Sequence, residues 1–492
     1  MSDYIIIDEK DNVAVVLRPY VKGEKVNGVT LLDDIPQAHK VAMVDIKEED
    51  NIIKYGEAIG HAIVDIKAGS LVHIHNVKTN LDDVSDYKYL PNIPDINTLK
   101  KYKNIEVYDR GNNKYGIRNE LWIIQLVGCV SGIAHQIIKS FKNEFDIKDI
   151  DGVYTFDHPF GCSQMGDDHN MTKIYLQKMV KHPNAGGVLV LGLGCENNQM
   201  GAFVDTLGEY NKDRIRTLVC QEVDDEVSMG ILLLKELYDK MKDDVRITKP
   251  ISVLNVGLKC GGSDGMSGIT ANPLLGRFSD YLILNGGSTV LGEVPEMFGA
   301  EHLLMRRAKD RQTFGKVVDL INDFKGYFKK HNQVIYENPS PGNKNGGITT
   351  LEDKSLGCTQ KSGKTKVVDV VKLGDEIKEQ GLNLTSTPGN DLIATTILGC
   401  IGCQLVLFTT GRGTPFGGFI PTVKVATNTL MANKKENWID FNAGVLAEQR
   451  EMDGVLSDFI DLICDIASVK KYTKNEINDF REISIFKDGV VL

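Results

Sequence analysis

Leu121-Trp122-Ile123-Ile124-Gln125-Leu126-Val127, followed at once by Gly128-Cys129, decides the fold. The run is short, apolar and punctuated by glycine, and an amphipathic stretch follows at 133–145. That is a buried strand, a turn and a helix. The same unit recurs with apolar runs at 153–156 and 187–191 and an amphipathic stretch at 172–181. Buried strands alternating with helices are the signature of a parallel sheet covered on its faces. A charged helix at about 224–242 closes this block near Pro250. Runs at 251–256, 281–284, 366–371, 392–398 and 405–408 predict the strands of a second block. Between them the Gly/Pro/Asn-rich segment 338–347 reads as an ordered surface loop or a domain crossing.

Toward the amino terminus the texture changes. Ala42-Met43-Val44-Asp45-Ile46-Lys47 recurs twenty residues later as Ala62-Ile63-Val64-Asp65-Ile66-Lys67, each copy followed by a polar turn. Two copies are too few for a solenoid, so they predict pseudo-symmetric hairpins in a small, mostly-β module. Asp82, Asp83, Asp86, Pro91, Pro94 and Asp95 then interrupt every candidate element, which predicts a linker. The expected organisation is a β module at 1–80, a linker at 81–104, an α/β domain at 105–248 and a C-terminal α/β domain at 249–492.

Composition narrows the function classes. The 492 residues are 42% hydrophobic and 25% charged, an ordinary globular balance that excludes disorder as the main state. The net charge of −10 offers no basic field for a nucleic acid. No apolar run reaches the roughly 20 residues that span a bilayer, and the first residues lack the basic region of a signal peptide. Nine scattered cysteines then predict reduced thiols in the cytoplasm.

Four constellations could carry chemistry. His73-Ile74-His75 ends the second repeat copy. In a strand its two imidazoles would share a face and could reach one divalent metal, or they are two half-exposed edge residues. Cysteines fall near predicted strand ends at Gly128-Cys129, Gly161-Cys162, Gly194-Cys195, Lys259-Cys260 and Gly402-Cys403. The first three are spaced by one strand–helix unit. Such positions suit soft metal ligands, an iron–sulfur cluster or a reactive thiolate, and equally a small residue in a tight corner. Cys400-Ile401-Gly402-Cys403 has no second pair to make a zinc site. Gly-rich loops follow strands at 259–268 and 410–415, neither a Walker A motif. Gly192-Leu193-Gly194-Cys195-Glu196-Asn197 is only a partial dinucleotide fingerprint. The loops and Arg412 suit a small anionic substrate. Finally, His158 beside Asp157, and His169 beside Asp167 and Asp168, are candidate bases or loop anchors.

Long irregular strings, among them 51–60, 72–81, 161–169, 191–199, 260–280, 293–301, 336–361 and 410–424, resemble the altronate/galactarate dehydratase family over essentially the whole chain. The resemblance implies an N-terminal SAF (β-clip) domain on a Rossmann-like α/β catalytic body. It implies a hydro-lyase that converts a six-carbon sugar acid to a 2-keto-3-deoxy acid, using Fe2+ or Mn2+ and no organic cofactor. On that reading His73 and His75 bind the metal, and His158 is the acid or base with Asp264 as partner. Arg118, Arg277, Arg412 and Thr414 bind substrate, and Cys162, Cys195 and Cys260 are metal or site thiols. The expected partner is a small sugar acid, with no nucleic acid or membrane, in a homo-oligomer. The open alternatives are galactarate as substrate, an iron–sulfur hydro-lyase built on those three thiols, and a non-catalytic sugar-acid sensor.

Overall fold

A computed structural model describes residues 3–81, 87–96 and 101–489. Residues 3–81 form the expected mostly-β module. One antiparallel sheet runs Tyr4–Ile5, Val13–Val16, Lys40–Ala42, Leu71–Val72, and a second runs Asn51–Lys54, Glu57–Ala62, Val77–Lys78. The two repeat copies face each other. Ile46 and Ile66 exchange backbone hydrogen bonds of 2.8 Å. Lys47 bonds Asp65 and Lys67 bonds Asp45, each at 2.8 Å. The repeated Asp-Ile-Lys therefore encodes a local two-fold pairing, with Ile46 and Ile66 turned into the core.

The α/β body holds two parallel sheets. The first has the order Gly152–Thr155, Glu120–Gln125, Ala185–Gly192, Ile215–Val219. Strand Glu120–Gln125 is buried along its whole length, as its apolar run requires. The second has seven strands in the order Val367–Val371, Leu382–Thr385, Ser288–Leu291, Asn255–Cys260, Leu405–Thr410, Thr422–Ala426, Phe441–Asn442. In each sheet the earliest strand lies inside and later strands are added on both sides of it, which opens a crevice beyond the carboxyl ends at the reversal. Those reversals fall beside Glu120–Gln125 and beside Asn255–Cys260.

Two of the runs read as strands are helical. Residues 281–284 end helix Ala271–Leu284, and residues 392–398 belong to helix Asp391–Cys400. Both helices are buried on most sides, so their apolar runs lack the polar stripe that marks a surface helix. Helices Gly166–Val180 and Asp391–Cys400 join the sheets. The Cys400 thiol donates to Tyr175 O, and His182 Nε2 bonds Cys403 O at 3.1 Å. The two helices run side by side with their carboxyl ends together, so both sheets present their carboxyl edges toward the same end of the body.

Strand Asn104–Asp109 pairs with Ile247–Pro250, so the chain enters and leaves the four-stranded block side by side. Within the expected linker, residues 82–86 and 97–100 lie outside the described residues. The described part is strapped to the C-terminal block: Tyr87 donates to Glu301 at 2.6 Å and Asn92 N to Arg306 O at 2.8 Å. Segment 338–347 carries the short helix Pro341–Asn345 and crosses to the β module, where Gly347 O accepts from Lys40 at 2.8 Å.

Candidate active site

Helix Leu351–Thr359 is the hub. Thr350 caps it by accepting from Asp353 N, and Glu352 and Asp353 sit in its first turn, where the helix dipole favours carboxylates. Although it carries three charged side chains, every residue of it is buried. Buried charges persist only when paired, and each of these has partners. Glu352 accepts from Thr79 and from Asn80 N. Asp353 pairs with Lys40 at 2.8 Å and Lys54 at 2.9 Å, all three side chains no more than 2% exposed. Lys354 pairs with Glu296 at 2.8 Å. Successive residues of one helix turn thus hold the β module on one side and the seven-stranded block on the other.

Beneath the hub lies a cluster at the carboxyl end of strand Asn255–Cys260. Cys260 Sγ and Cys358 Sγ are 3.4 Å apart, and each thiol lies 3.1 Å from Glu296 Oε2. Lys361 Nζ is 2.8 Å from Cys260 Sγ and 3.1 Å from Glu293. Lys259 bonds Glu293 and, at 2.9 Å, Asp391. Glu293 occupies the left-handed region at φ 64°, a strained conformation for a side-chain-bearing residue, which turns its carboxylate back onto Lys259, Lys361 and Cys260 N. Burial alone would raise the Glu296 pKa, but Lys354, Lys259 and Lys361 hold it well below the usual range. The Cys358 thiol is pushed up by its hydrogen bond with Cys260 and by burial. Among the described residues, Cys260, Glu296 and Cys358 form a group whose donor atoms converge closely enough to hold a metal ion. Two sulfurs and a carboxylate suit iron(II) better than manganese(II), which prefers oxygen donors.

A cleft of about 380 Å³ opens between the β module and the seven-stranded block. Gln37 and Ala38 form one wall, and Asp264, Gly411, Arg412 and Asn428 the other. It lies at that sheet's strand-order reversal, where the loop after Asn255–Cys260 meets the loop after Leu405–Thr410. Gly262, at φ 62°, turns its carbonyl to accept from both Gly411 N and Arg412 N at 3.1 Å. The Arg412 guanidinium is exposed and makes no hydrogen bond or ion pair among the described residues. Larger hollows of about 830 and 770 Å³ lie at the opposite, amino-terminal edges of the strands, where this architecture does not place ligands.

The structure gathers some of the expected site residues and disperses others. Asp264, Arg412 and the half-buried Thr414 lie at or beside the cleft loops, and Cys260 lies in the buried cluster. Asp264 acts there as a loop anchor: its carboxylate accepts from Met266 N, Ser267, Thr427 and Asn428. Burial raises its pKa against those bonds. Arg118 is corrected to a structural role, because it is fully buried and pairs with Glu476 at 2.6 Å. Arg277 ties its helix to Asp453 at 2.8 Å. His158 is corrected likewise. Its Nε2–H donates to Gln125 O at 2.9 Å and its Nδ1 accepts from Phe160 N at 3.2 Å, which leaves no nitrogen for a substrate proton.

His73 and His75 do not share a strand face, because the strand ends at Val72 and residues 73–76 form a turn closed by Asn76 N to His73 O at 3.0 Å. His75 is exposed. His73 packs edge-on against His39, with ring centroids 5.1 Å apart, and bonds Thr349 at 3.2 Å. Burial and then Lys40 lower its pKa to about 4. Cys403 precedes a strand rather than ending one, and with Cys400 it is buried in the packing between the two sheets. Cys162 and Cys195 are exposed in loops of the first sheet, whereas Cys260 is buried at the end of a strand of the second. Sequence reasoning missed Lys259, Glu293, Glu296, Lys354, Cys358 and Lys361; a run of charges with no solvent-facing period at 352–361 was the available signal.

A small β module docked over the carboxyl edge of parallel sheets, with lysines, carboxylates and thiols drawn to that edge, is the build of an enzyme for a small anionic substrate. Its parts match in order the Altronate/galactarate dehydratase SAF domain over residues 2–80 and the D-galactarate dehydratase/Altronate hydrolase second domain over 107–242. The D-galactarate/Altronate dehydratase C-terminal domain follows over 251–491. The chain is 55% identical to an altronate dehydratase of Escherichia coli, covering 99% of this chain and all of that one. It is 54% identical to an altronate dehydratase of Bacillus subtilis, with both chains fully covered. It is 32% identical to a galactarate dehydratase of Escherichia coli, over 96% of this chain and 94% of that one. The chain belongs to the altronate/galactarate dehydratase family. Among the described residues no helix is long and apolar enough to cross a membrane.

Proposed function

We propose that this chain is a cytoplasmic hydro-lyase that converts D-altronate to 2-dehydro-3-deoxy-D-gluconate. The observation that carries the reading is end-to-end identity to two altronate dehydratases, well above that to a galactarate dehydratase. The reaction removes the C2 proton, breaks the C3–O bond and releases water, and the resulting enol tautomerises to the ketone. Arg412 at the cleft offers an unengaged guanidinium to the substrate carboxylate. His73, kept neutral on the β-module side, is the candidate for the C2 proton. Asp264 holds the cleft loops in register.

Cys260, Glu296 and Cys358 would hold the divalent metal, iron(II) by their softness, with Lys361 and Lys354 balancing the site's negative charge. A bound divalent ion supplies Lewis acidity to the charge that develops on substrate oxygens. The test is an anaerobic assay of 2-keto-3-deoxy acid formation from altronate, galactarate and related sugar acids, each with iron(II), manganese(II) or a chelator. Altronate should be turned over fastest and the chelator should abolish turnover. Turnover of galactarate but not altronate would overturn the substrate assignment.

A further inference from the structure

Three of the nine cysteines are exposed, Cys129, Cys162 and Cys195, and the other six are buried. The exposed three follow three neighbouring strands of the four-stranded sheet: Cys162 after Gly152–Thr155, Cys129 after Glu120–Gln125, Cys195 after Ala185–Gly192. The central and third of these strands flank the reversal of strand order, where the ligand crevice of such a sheet opens.

The loops that bear them are locked to one another. Gly128 N donates to Phe160 O at 2.9 Å, and Asn198 N to Gly161 O at 3.0 Å. Ser163 N donates to the Asn197 side chain at 2.7 Å, and the Asn198 amide reaches Leu126 O at 3.2 Å. Gly128 and Gly161 are required by this closeness, and Gly194 by its φ of 128°. A Cβ at Gly128 would lie 2.5 Å from His158 O, one at Gly161 2.0 Å from Leu126 O, and one at Gly194 2.7 Å from Gln221 Oε1. Buried polar side chains fix the same turns: His158 as described, Gln164 accepting from Gly161 N, and Glu196 accepting from Leu193 N and Gly194 N.

We propose that Cys129, Cys162 and Cys195 together bind an iron–sulfur cluster at the carboxyl edge of the four-stranded sheet. Each thiol loses its proton and bonds one iron. A single ion would need its three sulfurs drawn close together. Among the described residues, Cys260, Glu296 and Cys358 are brought within 4.8 Å of one another, and these three thiols do not form such a group. A cubane, whose irons each take one thiolate, accepts sulfurs held further apart. Three thiolates leave its fourth iron open to an oxygen ligand. The site is separate from the Cys260–Glu296–Cys358 group, and its occupancy does not depend on the substrate assigned above.

The test is anaerobic reconstitution of the full chain with sulfide and equal amounts of ferrous and ferric iron, which supply the two ferrous and two ferric ions of the resting cubane, followed by desalting. Readouts are iron, acid-labile sulfide and absorbance near about 400 nm. The wild-type chain should retain about four irons and four labile sulfides. Each of C129S, C162S and C195S should lose most of the sulfide and the visible band, with unchanged circular dichroism, since the exposed thiols carry no core packing. The variant C260S/C358S should keep the sulfide and the band. Absence of labile sulfide in the wild type, its persistence in a C129S/C162S/C195S chain, or its loss in C260S/C358S would overturn the proposal.

Discussion

Asp353→Asn tests the idea that one carboxylate docks the β module. Asp353 lies 2.8 Å from Lys40 and 2.9 Å from Lys54, and all three side chains are at most 2% exposed. At such separations and an effective dielectric near 20, each attraction is roughly 6 kcal/mol. Desolvation of three charges offsets most of that in the intact triad. Removing only the carboxylate leaves the two desolvated ammonium groups without their counter-charge, and breaking a buried pair in this way costs about 3–5 kcal/mol. The asparagine can still accept from one lysine, so the lower end of that range is expected. Guanidinium unfolding followed by circular dichroism would measure the loss. Hydrogen exchange in strands Val13–Val16 and Lys40–Ala42 would show whether it falls on the β module. The double variant Asp353→Asn/Lys40→Met should recover part of the loss by removing one of the stranded charges. The reasoning is refuted if Asp353→Asn stays within about 1 kcal/mol of wild type, because that is the worth of a solvated pair.

The same triad predicts a pH dependence. Burial lowers the Lys40 pKa from 10.5 to about 8, so between those values the unfolded chain binds the extra proton and stability rises with pH. Lys54, whose pKa Asp353 raises against burial, contributes stability that is lost only above its ordinary value. Guanidinium midpoints taken at about pH 7.5 and 9.5 should change less favourably with rising pH in Lys40→Met than in wild type, and an identical change in the two chains would remove the Lys40 contribution. Arg412→Ala should raise KM for the sugar acid by about 10- to 150-fold, the worth of one charge-assisted hydrogen bond, with a smaller change in kcat. An unchanged KM would remove Arg412 from the substrate site. His158→Asn should lower stability by about 1–3 kcal/mol, since buried backbone groups lose partners. It should leave the shape of the pH–rate profile intact, and disappearance of one limb would restore His158 as a titrating catalyst.

Much of the architecture was legible because it is local. A run such as 121–127 has to be buried on both faces, and the Asp-Ile-Lys repeat pairs with its own copy twenty residues away. The runs at 281–284 and 392–398 misled because a helix buried on most sides carries no polar stripe to set its period. The candidate site was legible only in part. Gly-Cys loops and Arg412 announced themselves by composition at strand ends. His158 and Arg118 looked chemical because their residue types are chemical, yet their polar atoms are consumed by Gln125, Phe160 and Glu476. The lysines and carboxylates around Cys260 looked like ordinary surface charge.

By itself, then, the sequence determined the most apolar strands such as Glu120–Gln125 and Leu405–Thr410, the β module, the Gly-Cys corners and the family likeness, since each rests on periodicity or on strings of neighbouring residues. Only the tertiary structure decided which charges are buried and what they pair with. Lys40 and Asp353 are 313 positions apart and Cys260 and Cys358 are 98 apart. No local pattern reports such partners, because burying a charge is favourable only after docking has delivered the opposite one.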